Sequence, residues 1–151
     1  MQYRSRLNLL MTQPRWQGLL PAMPWPQTVS RLLEPMQVHT FLARNWVETQ
    51  SLAQRYEMHV MVLDSRITED PDVHVDFSTL LRLIQSVRPA DAKGDSAPLV
   101  IVLSAQLSDR LMREALRRNV FSVLPQPVDV NELLDTLARA LRRFYGNQWP
   151  A

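Results

Sequence analysis

The 151-residue sequence predicts an α/β fold, a doubly wound five-stranded parallel sheet flanked by helices on both faces. Apolar runs and helical patterns alternate five times along the chain, which is the order expected for repeated strand–helix units. The run over residues 58–63 is apolar at nearly every position, and so is the run over residues 98–103. Strands of this composition are buried on both faces, as in the middle of a parallel sheet.

The first strand and the first helix are separated by a proline-rich stretch. Residues 7–11 are predicted as the strand, which stops before Pro14 because proline cannot continue a ladder. Further prolines at positions 21, 24 and 26 exclude a long helix through the next segment. A helix is expected over residues 25–35, since proline is favoured in a first turn. Its apolar face should carry Val29, Leu32 and Leu33.

The second strand and second helix precede the central strand. Residues 37–42 alternate apolar and polar side chains, which predicts a strand. Asn45 is placed to cap a helix over residues 46–56, and Glu48 lies three residues later, as in a capping box. The central strand, residues 58–63, follows at once and ends in the carboxylate of Asp64.

The remaining elements repeat the same alternation. A third helix is predicted over residues 77–88 and a buried strand over residues 98–104. Ser108 should cap a fourth helix over residues 109–118, followed by a short strand over residues 120–124. The apolar stripe of this fourth helix should consist of Leu111, Met112, Ala115 and Leu116. A last helix should be opened by Asp129 or Asn131.

Composition limits the classes of protein to consider. A hydrophobic fraction of 46% and a net charge of +2 are ordinary for a globular protein, and the length suits one domain over residues 1–151. There is no cysteine, so disulfides, thiolate metal sites and cysteine nucleophiles are excluded. No apolar run is long enough for a signal peptide or a membrane span, so a cytoplasmic location is expected.

Polar side chains follow three of the predicted strands. Asp64 ends the central strand, Ser104 ends the next, and Gln126 lies between two prolines after the last. With the sequences V-L-D, V-L-S-A and L-P-Q-P-V-D-V-N-E-L-L at these points, nearly the whole chain resembles a response-regulator receiver domain. The resemblance implies a flavodoxin-like fold in which Asp64 occupies the phosphoacceptor position.

The sequence departs from the receiver pattern where the family carries its charges. Thr12 and Gln13 stand at the position of the acidic pair, and Gln126 replaces the lysine. A hydroxyl and an amide do not supply the anionic oxygens that Mg²⁺ demands, and an amide carries no charge toward a phosphoryl group. The pocket of Asp64, Ser104, Gln126, Thr12 and Gln13 is therefore interpreted as vestigial, with no metal and no cofactor. Asp64 is expected to cap the next turn or to hydrogen-bond Ser104 or Gln126.

The resemblance and its departures favour a non-catalytic pseudo-receiver that acts in signalling by dimerisation or partner docking, without phosphorylation. One alternative is a receiver phosphorylated on Asp64 with an atypical Mg²⁺ site that uses Glu69 or Asp70. Another is a nucleotide or nucleic-acid binder that uses the arginine-rich face of the last two helices, which the low net charge makes less favourable. An enzyme is not expected, because no nucleophile with its base and no glycine-rich phosphate loop is present.

The last two predicted helices carry a surface rich in arginine. Receivers commonly use this surface for dimers and outputs, and arginine is enriched at protein contacts. The expected partner is an acidic protein, a second copy of the chain or an output domain in a longer protein of which this is the N-terminal module. The interface candidates are Arg110, Arg113 and Arg117 on one helix, and Arg139 and Arg142 on the other.

Overall fold

The computed structural model describes residues 7–12, 25–64, 81–82, 98–104, 108–118 and 120–145. In chain order the elements are β1 Leu7–Thr12, α1 Trp25–Leu33, a 3-10 helix Glu34–Met36, β2 Val38–Ala43, α2 Trp46–Arg55, β3 Val60–Asp64, β4 Leu99–Ser104, α3 Asp109–Arg117, β5 Ser122–Pro125 and α4 Val130–Tyr145. The five strands pair in parallel in the order β2-β1-β3-β4-β5. The predicted fold class is confirmed.

Both faces of the central strands are buried, as the apolar runs predicted. In β3, Val60 and Val62 belong to one hydrophobic cluster, and Met61 and Leu63 belong to the other. Successive side chains of a strand point to opposite faces, so an uninterrupted apolar run supplies two cores at once. The first cluster includes side chains of α1 and α4, and the second includes side chains of α2 and Leu81.

The caps of three helices follow from the sequence. The Asn45 side chain accepts a hydrogen bond of 2.8 Å from the Glu48 N–H and starts α2. The Glu48 carboxylate accepts a hydrogen bond from the Arg44 N–H, one residue before the cap, so the capping box is present in slightly shifted form. Ser108 caps α3, and of the two candidates for the last helix it is Asp129 that accepts from its first N–H groups.

The first helix differs from its predicted bounds, and most of the predicted third helix lies outside the described residues. The first helix ends at Leu33 and continues as a 3-10 helix with Pro35 in its first turn, where proline costs no hydrogen bond. Of the predicted helix over residues 77–88, only positions 81 and 82 are described, both helical, with Leu81 fully buried. The bounds of that helix lie outside the described residues.

Two expected apolar faces are only partly buried. In α1, Val29 and Leu33 face the core, but Leu32 is 51% exposed. In α3, Ala115 is buried, whereas Met112 and Leu116 are exposed. Leu111 is half-buried, so the packed side of α3 includes two of the four expected residues and is turned from the expected stripe by about one helical position, since each residue turns the face by 100°.

His59, next to β3, links the start of that strand to β1. Its Nδ1 atom accepts a 3.0 Å hydrogen bond from the Asn8 N–H. Burial lowers the pKa of His59 below its ordinary value, and the Glu57 carboxylate opposes this effect in part. Burial therefore favours the neutral ring, which is the form whose Nδ1 can accept the bond from Asn8.

The stability of the fold should fall with acidification through His59. Because the folded pKa is lowered, the unfolded chain binds more protons below pH of about 6.5, and stability present above that pH is lost as the pH falls. Urea unfolding is compared at about pH 7.5 and at about pH 5.5. Between these two values His59→Asn should lose less stability than the native sequence, because the asparagine Oδ1 accepts the same bond without titrating. An equal loss in both proteins would contradict this role.

Candidate functional site

The candidate site lies at the carboxyl edge of the sheet, where β3 is flanked by β1 and β4. The direction of strand progression reverses between β1 and β3, and crevices for ligands form at such points of open parallel sheets. Thr12, Asp64 and Ser104 end these three strands and are 0%, 2% and 3% exposed. The sequence thus places three polar side chains at the buried edge of the core.

The Thr12 hydroxyl ties β1 to β3 beyond their last backbone pairing. The paired register of these strands reaches Met11 opposite Val62. Past that point Thr12 Oγ1 accepts a 2.6 Å hydrogen bond from the Asp64 N–H and donates a 3.0 Å bond to the Val62 carbonyl. A side-chain hydroxyl therefore takes the place of a backbone group in the ladder, and it uses its one donor and one of its two acceptor lone pairs.

Gln126 closes the site from the end of β5. Its backbone N–H donates a 3.0 Å bond to the Ser104 carbonyl, which fixes the residue against the end of β4. Its side-chain Nε2 then reaches Asp64 Oδ2 at 2.7 Å, across 62 positions of sequence. The expected hydrogen bond between Asp64 and Gln126 is confirmed. The other amide atom, Oε1, is buried and has no hydrogen-bond partner among the described residues.

These donors do not fit a Mg²⁺ ion of the kind that receivers use. Mg²⁺ is bound through one or two carboxylates in near-octahedral geometry, whereas Thr12 offers a neutral hydroxyl that already bonds to two backbone groups of β3. Among the described residues no group of three acidic or histidine side chains could hold a metal ion. Gln126 donates a neutral hydrogen bond, so it does not offset charge on a phosphoryl group as a lysine ammonium would.

Several residues named from the sequence lie outside the described part of the chain. Gln13, the second residue at the position of the acidic pair, is one of them. Glu69 and Asp70, the acids that an atypical Mg²⁺ site would borrow, are the others. Their part in the site stays a prediction.

The exposed side of α3 combines cationic and apolar side chains. Arg110, Arg113 and Arg117 are exposed, and Leu116 is 72% exposed beside them. Met112, one turn before Leu116, is also exposed, at 39%. We call these five residues the α3 face. Exposure of leucine and methionine side chains to water is unfavourable. A contiguous group of them on a surface therefore marks a site of contact more often than isolated ones do.

The arginines of the two helices differ in their local pairing. Arg117 contacts the Glu114 carboxylate at 3.5 Å, and Arg139 contacts the Asp135 carboxylate at 3.3 Å. Exposed pairs of this kind contribute little to stability. Within the described ranges Arg110, Arg113 and Arg142 make no ion pair, so their charge is available for a partner.

Sequence reasoning missed two features of these surfaces. The role of Thr12 in joining strands escaped it because the partners are backbone groups of another strand, which leave no pattern in the sequence. The exposure of Leu116 escaped it because an apolar residue at helical spacing is most simply assigned to the core. The one available signal was that α3 has almost no apolar residues outside this stripe, which is typical of a helix that lies on the surface.

No described helix is long and apolar enough to cross a membrane. The sequence matches no protein-family model, and no curated protein is significantly similar to it. Solved structures, in contrast, match over almost the whole chain.

Several of the matching structures are receiver domains. The chain is similar to the signal receiver domain of an HD domain-containing protein from Pseudomonas fluorescens Pf-5, with 20% identity, a TM-score of 0.69, and coverage of 95% of this chain and 100% of that one. It is also similar to the non-phosphorylated HemR receiver domain from Leptospira biflexa, with 18% identity, a TM-score of 0.67 and coverage of 90% and 94%.

A third match is a response regulator from Burkholderia pseudomallei that contains a phosphorylated aspartic acid and a calcium ion. Its identity is 18% and its TM-score 0.58, with 93% of this chain and 75% of that chain covered. At these identities the comparison establishes the fold, and the chain has the fold of CheY-like receiver domains.

Proposed function

We propose that this chain is a signalling module of the pseudo-receiver type, which docks a protein partner through the α3 face without phosphorylation of Asp64. The observation that carries the proposal is the exposure of Leu116 and Met112 beside Arg110 and Arg113, which make no ion pair within the described residues. An apolar anchor ringed by cations suits a partner with an apolar side chain and acidic neighbours.

The geometry at Asp64 supports independence from phosphorylation. The Thr12 hydroxyl links β1 to β3 by two hydrogen bonds, and the side chain of Gln126 donates a hydrogen bond to the Asp64 carboxylate. Phosphoryl transfer to a carboxylate depends on a cation that bridges and neutralises the phosphoryl oxygens. The described donors offer neither a second carboxylate nor an ammonium group, so the site is better suited to holding the strand ends together than to chemistry.

The test is a comparison of proteins captured from cell extract by four versions of the chain. The native protein and Asp64→Asn should retain the same partner, and Leu116→Glu should lose it, because a carboxylate replaces the apolar anchor and repels acidic neighbours. Val47→Glu is the matched control, since Val47 is an apolar residue that is 56% exposed on α2. Loss of the partner by Val47→Glu to the same extent, or retention by Leu116→Glu, would contradict docking through α3.

The same proteins separate the two alternatives. Incubation with a small phosphodonor and Mg²⁺ should leave the mass of the native protein unchanged. A mass increase that Asp64→Asn abolishes would instead support the phosphorylated receiver. Binding to a nucleic acid that weakens steeply with salt, through release of counterions from neutralised phosphates, would support the third alternative.

A further inference from the structure

An apolar groove lies between α1 and α4, at the end of β1 opposite the Asp64 site. It has a volume of about 270 Å³, and all eight side chains that line it are apolar. Its floor includes Leu9 and Leu137, and its rim includes Leu32 and Met36. The rim residues are 51% and 52% exposed, so the groove is open to solvent.

The size and lining of the groove decide what could fill it. Sites for small molecules usually exceed about 300 Å³ and carry a few polar groups that orient the ligand. This groove is smaller and has no polar side chain in its lining, but it is large enough for one or two protruding apolar side chains. It therefore fits a protein surface that presents leucine or methionine.

The rim of the groove presents such side chains itself. Leu32 and Met36 protrude beside the cavity that would accept them. A two-fold axis places the same patch on both sides of a contact, so the rim of one molecule would enter the groove of the other and the reverse. Self-complementarity of this kind favours a second copy of the chain over an unrelated partner.

The charges of α4 favour one relative orientation of the two α4 helices in such a contact. Its exposed acidic residues, Glu132 and Asp135, lie in the first half, and its exposed basic residues, Arg139 and Arg142, lie in the second. Two such helices attract when they are antiparallel and repel when they are parallel. An antiparallel pair is the arrangement that a two-fold axis perpendicular to the helices produces.

The middle of α4 allows the close approach that this pairing needs. Ala138 is exposed, lies near the centre of the helix Val130–Tyr145 and forms one wall of the groove. With the crossing point at Ala138, Asp135 precedes it by three residues and Arg142 follows it by four. The Asp135 carboxylate, which contacts Arg139 of its own helix at 3.3 Å, would then also lie opposite Arg142 of the other copy. We propose that the groove between α1 and α4 is the interface of a two-fold symmetric homodimer.

This interface is separate from the α3 face, so each copy in the dimer keeps its docking surface free. Two linked docking surfaces bind a partner with two sites more tightly than a single one does. The dimer does not depend on the proposed function, and either can be wrong without the other.

The experiment is sedimentation of the full chain from micromolar to millimolar concentration. The native protein should show a reversible monomer–dimer equilibrium, and Ala138→Glu should weaken it by at least about tenfold, because two glutamates would meet at the crossing point. Val47→Glu, on α2, should leave it unchanged. A native protein that stays monomeric at every concentration, as it would if another protein covers the groove, overturns the proposal.

A charge exchange tests the direction of the helices. Asp135→Arg and Arg142→Asp should each weaken the dimer, and the double variant should restore it, because the facing charges are again opposite. These two positions are seven residues apart on one helix, so they do not contact each other within a molecule. Failure of the double variant to restore association, or a dimer that Leu116→Glu disrupts in place of Ala138→Glu, would overturn the proposed interface.

Discussion

Replacement of Thr12 by valine is expected to lower the free energy of unfolding by about 2–6 kcal/mol, although valine has nearly the same shape. The change removes the partner of the Asp64 N–H and of the Val62 carbonyl. Thr12 is fully buried and Asp64 is 2% exposed, so water does not replace the hydroxyl. Each buried backbone group left without a partner costs about 1–3 kcal/mol. Urea unfolding, with the midpoint lowered and the slope unchanged, is the measurement.

Thr12→Ser is the control for this substitution. Serine keeps the hydroxyl that joins β1 to β3 and loses one buried methyl group, which costs about 0.5–1.5 kcal/mol. If valine destabilises the protein no more than serine does, the two hydrogen bonds of Thr12 contribute no more than one buried methyl group, and the expected loss of about 2–6 kcal/mol is wrong. A larger loss for valine assigns the difference to the hydroxyl.

The arrangement of the sheet could be predicted because it depends on which residues are buried. In β3 every residue from Val60 to Asp64 is buried, and a run with no polar face fits only a strand that is covered on both sides. The caps at Asn45 and Ser108 were predictable for a similar reason, since a cap bonds to groups three residues away in sequence. Local chemistry and local burial leave direct traces in the order of residues.

Part of the candidate site was also predictable from topology. The ends of parallel strands meet at one edge of a sheet, so Asp64 and Gln126 were expected to come together although 62 positions separate them. The bonds of Thr12 were not predictable, because their partners are a backbone N–H and a carbonyl, groups that every residue carries. The groove was not predictable either, since its volume depends on how far apart α1 and α4 pack.

The exposed side of α3 shows the limit of periodicity. Met112 and Leu116 stand at the same helical spacing as a buried stripe, and the spacing alone does not give the direction in which the helix turns them. On α3 the sheet side is taken by Ala115, which leaves Leu116 in solvent. The residues that carry the proposed function are thus those for which the simplest assignment was wrong.

A pair of identical substitutions should separate buried from exposed leucines by several kcal/mol. Leu133→Ala in α4 should lower the free energy of unfolding by about 2–5 kcal/mol, because Leu133 is fully buried and its removal leaves a cavity in the first cluster. Leu116→Ala in α3 should change it by less than about 0.5 kcal/mol, because most of that side chain already contacts water. Denaturant unfolding of both variants is the measurement.

The comparison bears on function because the two substitutions delete the same atoms from a helix. Alanine favours a helix at least as well as leucine, so propensity does not explain a loss in either case. A cost above about 1 kcal/mol for Leu116→Ala would mean that this side chain packs against the isolated domain, and the α3 face would then lack its apolar anchor. A neutral result leaves Leu116 as a side chain that the fold does not need. Together with loss of the partner on Leu116→Glu, neutrality would assign that side chain to docking.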